Sequence, residues 1–342
     1  MRDPRIGRAG RRFRRAQRLR HHPRGVAAVV GTLLSLLVFF ALFGIFLTQY
    51  LPVWMADNES EFTAQADASL ALFKSNVDAQ AALGGPAVYA TSFPLSSQGV
   101  PLLAQPTQGT LVLLPPSCNG GFYSINGTPV QKTSCVFERQ AFTAGAAAKT
   151  NNPWNRTATT ADLEFQLPNR YFNAQTFYFE NDAVIQAQGV AHATIVGPPP
   201  LTVTKTGANI TVATTFVGLY GNSTVVTGQG SEEVYSALVT TTHSNSRGLF
   251  LAANGSAVLF NYTFQIGTRN LCAWYYYFTN LTSASGLTAA QYSLTDSAGS
   301  LTTSVCADTG GLTYLLTFKV LNIAYATAVT SSIDVSLGAG VA

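Results

Sequence analysis

From Val26 to Ala56 the chain carries no Asp, Glu, Lys or Arg, and the 25 residues before that run hold ten arginines against one acid, Asp3. No other feature limits the fold as strongly. The most apolar part, Val26 to Leu47, would reach about 33 Å as a helix, against a hydrocarbon core of about 30 Å. It predicts a membrane-spanning helix. Arginines beside a span keep that side in the cytoplasm, so everything after Ala56 is expected outside the cell. A cleavable secretory signal has an apolar core of only about 7–15 residues and ends in small side chains. Here the far end is bulky (Tyr50, Leu51, Pro52, Val53, Trp54, Met55), and Tyr50 and Trp54 suit the outer headgroup layer. The span is therefore expected to stay on the protein as an anchor.

Clustered arginines also serve nucleic-acid or anionic-lipid contact. Next to a span the topological role needs no further partner. A lipid role is compatible with it, and no nucleic-acid partner is expected. His21 and His22 have no third ligand nearby in sequence, so they do not argue for a metal.

At the junction stands Arg24-Gly25-Val26, followed at once by the apolar run. This N-terminus resembles the class III signal peptides of archaeal pilins and flagellin-like proteins. Those have a basic leader, a cut after a small residue preceded by a basic one, and an apolar helix left on the mature protein. The resemblance implies processing between Gly25 and Val26. The fifth mature residue would then be Val30 rather than the Glu of bacterial-type pilins. A plain uncleaved signal-anchor is the alternative.

Beyond residue 25 there are ten basic and fifteen acidic side chains, a net of −5, so the overall charge of +4 averages two compartments. Four cysteines form two local pairs in sequence, Cys118 with Cys135 and Cys272 with Cys306. Nearest-neighbour disulfides are preferred among three connectivities, and an oxidising exterior suits them. There is no C-x-x-C, and His192 and His243 lack ligand spacing, so neither zinc nor any other cofactor is expected. Eight N-x-S/T sequons occur, at Asn58, Asn126, Asn155, Asn209, Asn222, Asn254, Asn261 and Asn280, which fits a glycosylated surface protein.

The organisation expected is a basic leader (1–25), a transmembrane helix (26–51), an amphipathic helical extension (52–84) and an extracytoplasmic β domain (85–342). In the extension, Phe62, Ala66, Ser69 or Leu70, Phe73 and Val77 recur at steps of three and four, and Gly84-Gly85-Pro86 is a firm stop. The two helices are expected to be continuous, bent near Pro52. From Ala87 onward, short β-branched and aromatic runs alternate with Gly, Asn and Pro turns. Without intervening helices they predict antiparallel sheets packed as a sandwich. Asn126-Gly127 and Asn254-Gly255 suit hairpin turns, Pro198-Pro199-Pro200 suits a crossover between the halves, and 286–294 suits one helical turn.

Residues 170–238 invite a second comparison. They look like the β domain of archaeal membrane-anchored surface proteins with pilin-like N-termini. In those, one strand carries an aromatic-x-x-(E)-(N/D)-(G/A)-A-V-I segment, filled here by Phe177-Tyr178-Phe179-Glu180-Asn181-Asp182-Ala183-Val184-Ile185. That group is mostly without assigned function, so the resemblance bears on placement more than on activity.

For chemistry the sequence offers little. There is no phosphate loop, dinucleotide fingerprint or nucleophile elbow. Glu232 and Glu233 would point to opposite faces of a strand, while Glu180 and Asp182 could share one, as calcium ligands or simply as a solvated strand edge. In the run Trp274-Tyr275-Tyr276-Tyr277-Phe278, read as a strand, Tyr275 and Tyr277 form a strip facing away from Trp274, Tyr276 and Phe278. That strip suits carbohydrate or protein contact, unless the strand is buried on both faces. The expectation is a non-enzymatic, single-span structural or adhesion protein of the cell surface. It would self-associate, or meet pilus or envelope partners, through its N-terminal helix. The alternatives are an anchored binding protein for a glycan or solute and, more remotely, a surface enzyme.

Overall fold

The first firm helix stop after the apolar run is Gly84-Gly85-Pro86, and the chain is helical up to it. The structure is a computed structural model that describes residues 23–100, 103–114, 137–144, 154–189, 192–245, 259–296 and 314–338. Helix α1 covers Pro23–Ile45, a π turn covers Phe46–Tyr50, and α2 covers Leu51–Leu83. The π turn stands just ahead of Pro52, which has no N–H to offer the preceding turn. The Leu51 N–H reaches the Phe46 carbonyl, one residue further back than an α turn would take. At the other end Gly84 adopts φ +64° and bonds back to the Gln80 carbonyl, closing α2.

Packing divides the chain into two units, Met1–Pro52 and Val53–Ala342. In the first, the α1 side chains from Ala28 on are almost all exposed, Leu and Phe included. Among the described residues the structure has one helix long and apolar enough to cross a membrane, and it lies near the N-terminus.

The second unit is mainly β, in two sheets. One has six antiparallel strands in the order β11 (Thr224–Thr227), β2 (Thr110–Leu114), β5 (Asp162–Leu167), β6 (Gln175–Glu180), β7 (Ala183–Gln188) and β8 (His192–Gly197). The other runs β1 (Val88–Pro94), β12 (Ser231–Asn245), β15 (Tyr314–Leu337), β13 (Phe260–Thr268), β3 (Phe137–Ala144) and β4 (Asn155–Thr159). Off that path, β10 (Asn209–Tyr220) pairs with β15 and with β9 (Leu201–Thr206), and β14 (Tyr292–Asp296) pairs with β15. This is the β-sandwich expected from the spacing of the runs, with one exception to its antiparallel pattern: β10 and β15 are parallel. The triple proline lies where the chain leaves β8 in one sheet and enters β9 in the other, as its position suggested.

Three local expectations are corrected. The segment 177–185 is not one strand but the β6–β7 hairpin. Asn181 and Asp182 take φ +49° and +59°, the pair of positive angles that a two-residue turn needs and that Asn and Asp tolerate best. Residues 288–291 form a turn rather than a helix, and β14 begins directly after it. The third correction is the aromatic run, which lies in helix α3 (Leu271–Ala284) and not in a strand. Aromatic side chains fit either period. Here Trp274 and Phe278, four apart, stack with centroids 5.8 Å from each other, and Phe278 stacks on Phe318 of β15 at 4.5 Å. The hairpins proposed at Asn126-Gly127 and Asn254-Gly255 lie outside the described residues.

The six-stranded sheet is covered on both faces. Leu163, Phe165, Phe177, Phe179 and Val184 point into a core completed by α2 and by Val234, Ile333 and Val335. Ala183, Ile185 and Ala187 point into a second core with α3 and with Tyr262, Phe264 and Phe318. The long strands β10 and β15 contribute to both cores. Helix α3 also closes the open edge of β9: the Tyr277 and Ser285 hydroxyls donate to the carbonyls of Leu201 and Val203 at 3.4 and 2.7 Å.

Candidate functional site

Helix α2 carries the β domain, and the geometry of that mount comes from one helical stripe. Phe62, Ala66, Leu70, Phe73, Val77 and Ala81 are all buried, at steps of four, four, three, four and four. Leu70 rather than Ser69 takes the middle position; Ser69 donates to the Ser92 carbonyl of β1 instead. Each large member of the stripe contributes roughly 1.5–3 kcal/mol by leaving water. Gly109 allows the closest approach, since a Cβ there would stand 2.8 Å from Phe165 and 3.1 Å from Phe62.

Polar side chains on the same face fasten the helix at three levels. At the start, the Glu59 carboxylate accepts the backbone N–H groups of Arg170, Tyr171 and Phe172 at 2.7–3.1 Å and a close hydrogen bond from the Thr107 hydroxyl. Burial pushes Glu59 up, but the Thr107 hydroxyl and these three amides outweigh it and hold the carboxyl below its ordinary value. Beside it, Asn58 Nδ2 donates to the Gln98 carbonyl at 3.0 Å. Midway, the Lys74 ammonium reaches the Asp182 carbonyl at 2.9 Å, its carboxylate at 3.4 Å and the Asp78 carboxylate at 3.1 Å. Near the end, Gln80 Nε2 donates to the carbonyls of Ala87 and Ser236, both at 2.8 Å. Sequence reasoning missed these residues. Their signal was a charged or amide side chain at a stripe position: Glu59 precedes Phe62 by three, and Lys74 follows Leu70 by four.

A second polar feature is a set of buried carboxylates around the β6–β7 turn. Glu138, Asp162, Glu180 and Asp182 are each at most 2 % exposed. The expectation of a solvated strand edge at Glu180 and Asp182 is overturned, and so is a shared site for the two. Glu180 accepts from Asn270 Nδ2 at 3.0 Å and Trp274 Nε1 at 3.2 Å, whereas Asp182 accepts from Lys74. Burial pushes Glu180 up to about 7, and it lifts Asp162 well above its ordinary value, with Glu180 adding to the effect. Glu138 and Asp182 are raised by burial as well, Asp182 in spite of Lys74. Both Asp162 oxygens, Glu138 Oε2 and Asp182 Oδ2 have no hydrogen-bond partner among the described residues. Such groups are stable as neutral acids and costly as anions. Among the described residues no three His, Cys, Asp or Glu side chains gather at metal-binding spacing.

The remaining sequence candidates scatter. Gly25 and Val26 are the third and fourth residues of α1. Cys272 is buried in the first turn of α3, while Cys118, Cys135 and Cys306 lie outside the described residues, so neither disulfide is among them. Of the sequons, Asn155, Asn209, Asn222 and Asn280 are exposed and Asn58 and Asn261 half-buried; Asn126 and Asn254 lie outside the described residues. The Tyr275–Tyr277 strip does not exist. On a helix Tyr277 turns inward, beside Trp274 at 6.0 Å and onto the Leu201 carbonyl, and only Tyr276 is well exposed.

No protein-family model, curated protein or solved structure matches this chain.

Proposed function

We propose that this chain is a single-span, outward-facing structural or adhesion protein of the cell surface, of archaeal pilin-like type and without enzymatic activity. One observation carries the reading: the helical chain from Ala28 to Leu83 is apolar and exposed all round in its first part, then narrows to a single buried stripe that holds a β domain. The first part is suited to lipid or to a neighbouring copy of the same helix, the second to presenting the domain. The arginine block favours the orientation with the domain outside. In that compartment Cys118–Cys135 and Cys272–Cys306 are the disulfides we assign, and the exposed sequons are sites for glycan. The best-formed carboxylates, Glu180 and Asp162, are closed off from solvent, which supports a non-catalytic role. A glycan-binding reading loses the tyrosine strip on which it rested.

The test is the N-terminus of the protein recovered from membranes. A chain starting at Val26 supports the pilin-type route, and a chain starting at Met1 leaves a plain signal-anchor. Shearing filaments from cells then separates an assembly subunit from a solitary anchor.

A further inference from the structure

The connection between β5 and β6 presents Arg170, Tyr171 and Phe172 to solvent, with Tyr171 44 % and Phe172 36 % exposed. A loop free to fold its aromatic rings under the sheet would do so, but this one is pinned the other way round. Its three consecutive N–H groups are spent on the Glu59 carboxylate, so its backbone faces the helix and its side chains face out. Where it is pinned matters. Glu59 follows Trp54 by five residues, about 7.5 Å along the helix axis, and Val53 and Trp54 are themselves 62 % and 52 % exposed. With α2 along the membrane normal, the pin stands about that axial distance above Trp54, about the depth of one headgroup layer.

The sheet confirms which end this is. The β6–β7 turn meets α2 at Lys74, fifteen residues and about 22 Å beyond Glu59. The six residues of β5 span about 20 Å, so the strand runs from the Lys74 level back to the Glu59 level. The segments 96–100 and 103–108 are tied to the same turn of α2 through Asn58 and Thr107, and Leu103 is exposed. Asp57 and Glu61 lie on the opposite side of α2 from Glu59, at about 100° per residue, and Arg170 in the pinned loop is exposed.

We infer that loop 168–174 is a second membrane contact, which seats Tyr171 and Phe172 in the headgroup layer of the bilayer that holds α1 and sets Arg170 against lipid phosphate. Tyrosine and phenylalanine settle at that depth, and arginine matches phosphate with its planar fork. The inference rests on the anchor reading above and adds a second point of attachment to it: the β domain meets the bilayer through this loop as well as through the helix.

The experiment uses the full chain in vesicles of phosphatidylcholine and phosphatidylglycerol. The photoreactive analogue p-benzoylphenylalanine is put, one position at a time, in place of Val38, Leu83, Tyr171 or Phe172, and adducts are identified by mass spectrometry. Variants are used only where thermal unfolding matches the parent. Lipid adducts at Tyr171 and Phe172, several-fold above those at the exposed far-end residue Leu83, are expected alongside strong labelling at Val38. Labelling at Val38 with Tyr171 and Phe172 no better than Leu83 overturns the second contact and leaves the anchor standing. No lipid at Val38 removes both. Protein adducts in place of lipid at Phe172 overturn the assignment of the partner.

Discussion

At the scale of single residues, the most exacting contact is Lys74, a buried cation on an otherwise apolar stripe. It lies 9 % exposed between Asp78 on its own helix and Asp182 in the β6–β7 turn. A buried pair adds little over a well-packed apolar pair, but removing the Lys74 ammonium leaves the buried Asp182 carbonyl and carboxyl without their donor. Lys74→Ala is therefore expected to cost about 1–3 kcal/mol in chemical unfolding. Lys74→Met combined with Asp182→Asn should recover most of that loss, because neither residue then carries charge. If the single variant unfolds like the parent, the ion pair is not holding the turn to the helix. Glu59 works in the reverse sense: its partners are the Thr107 hydroxyl and backbone amides that favour the anion, so its carboxyl is pushed down where burial pushes Glu138 and Asp162 up.

At the scale of elements, the two helices show why one was legible and the other was not. The stripe of α2 could be read because Phe62, Ala66, Phe73 and Val77 repeat at the helical period between a charged start and a Gly-Gly-Pro stop. Helix α3 has no such frame. Its five aromatics in a row satisfy any period, and what fixes the helix is Phe264 and Phe318 on distant strands, which no local pattern displays. The same holds for the mount. Glu59 finds its amides more than a hundred residues away, and Glu180 finds Trp274 across the core, so their roles depend on topology that spacing does not encode. The helical assignment has a direct consequence. Trp274→Ala should cost about 3–5 kcal/mol, since it empties a core site and takes a donor from Glu180. Tyr276→Ala, on the exposed side, should stay within about 0.5 kcal/mol. In a strand, Trp274 and Tyr276 would share a face and respond alike, so equal losses in urea would count against α3.

At the scale of the molecule, the chain beyond its apolar run has few charges and hides several of its acids, and this sets how its stability responds to pH. Glu138, Asp162, Glu180 and Asp182 all hold protons more tightly folded than unfolded. For Glu180 the unfolded value is 4.5 and the folded one about 7. Below 4.5 both states are protonated and the stabilisation is complete. As pH rises from there the unfolded chain ionises first, and stability falls until the folded value is passed. At about 1.36 kcal/mol per unit, Glu180 alone accounts for on the order of 3 kcal/mol between mildly acid and mildly alkaline solution. Glu59, lowered instead of raised, has the opposite slope and is lost only as pH falls through its depressed value, so it sets the acid limit. The full chain in detergent is thus expected to melt several degrees higher near pH 5 than near pH 8, at roughly 2–4 °C per kcal/mol for a domain of this size. Glu138→Gln with Asp162→Asn should flatten that profile by raising its alkaline side, because an amide keeps the shape of the acid without the cost of a buried charge. A parent profile that is level or that rises with pH would show that these acids reach water or a cation when folded, and the double variant would then lose stability at every pH.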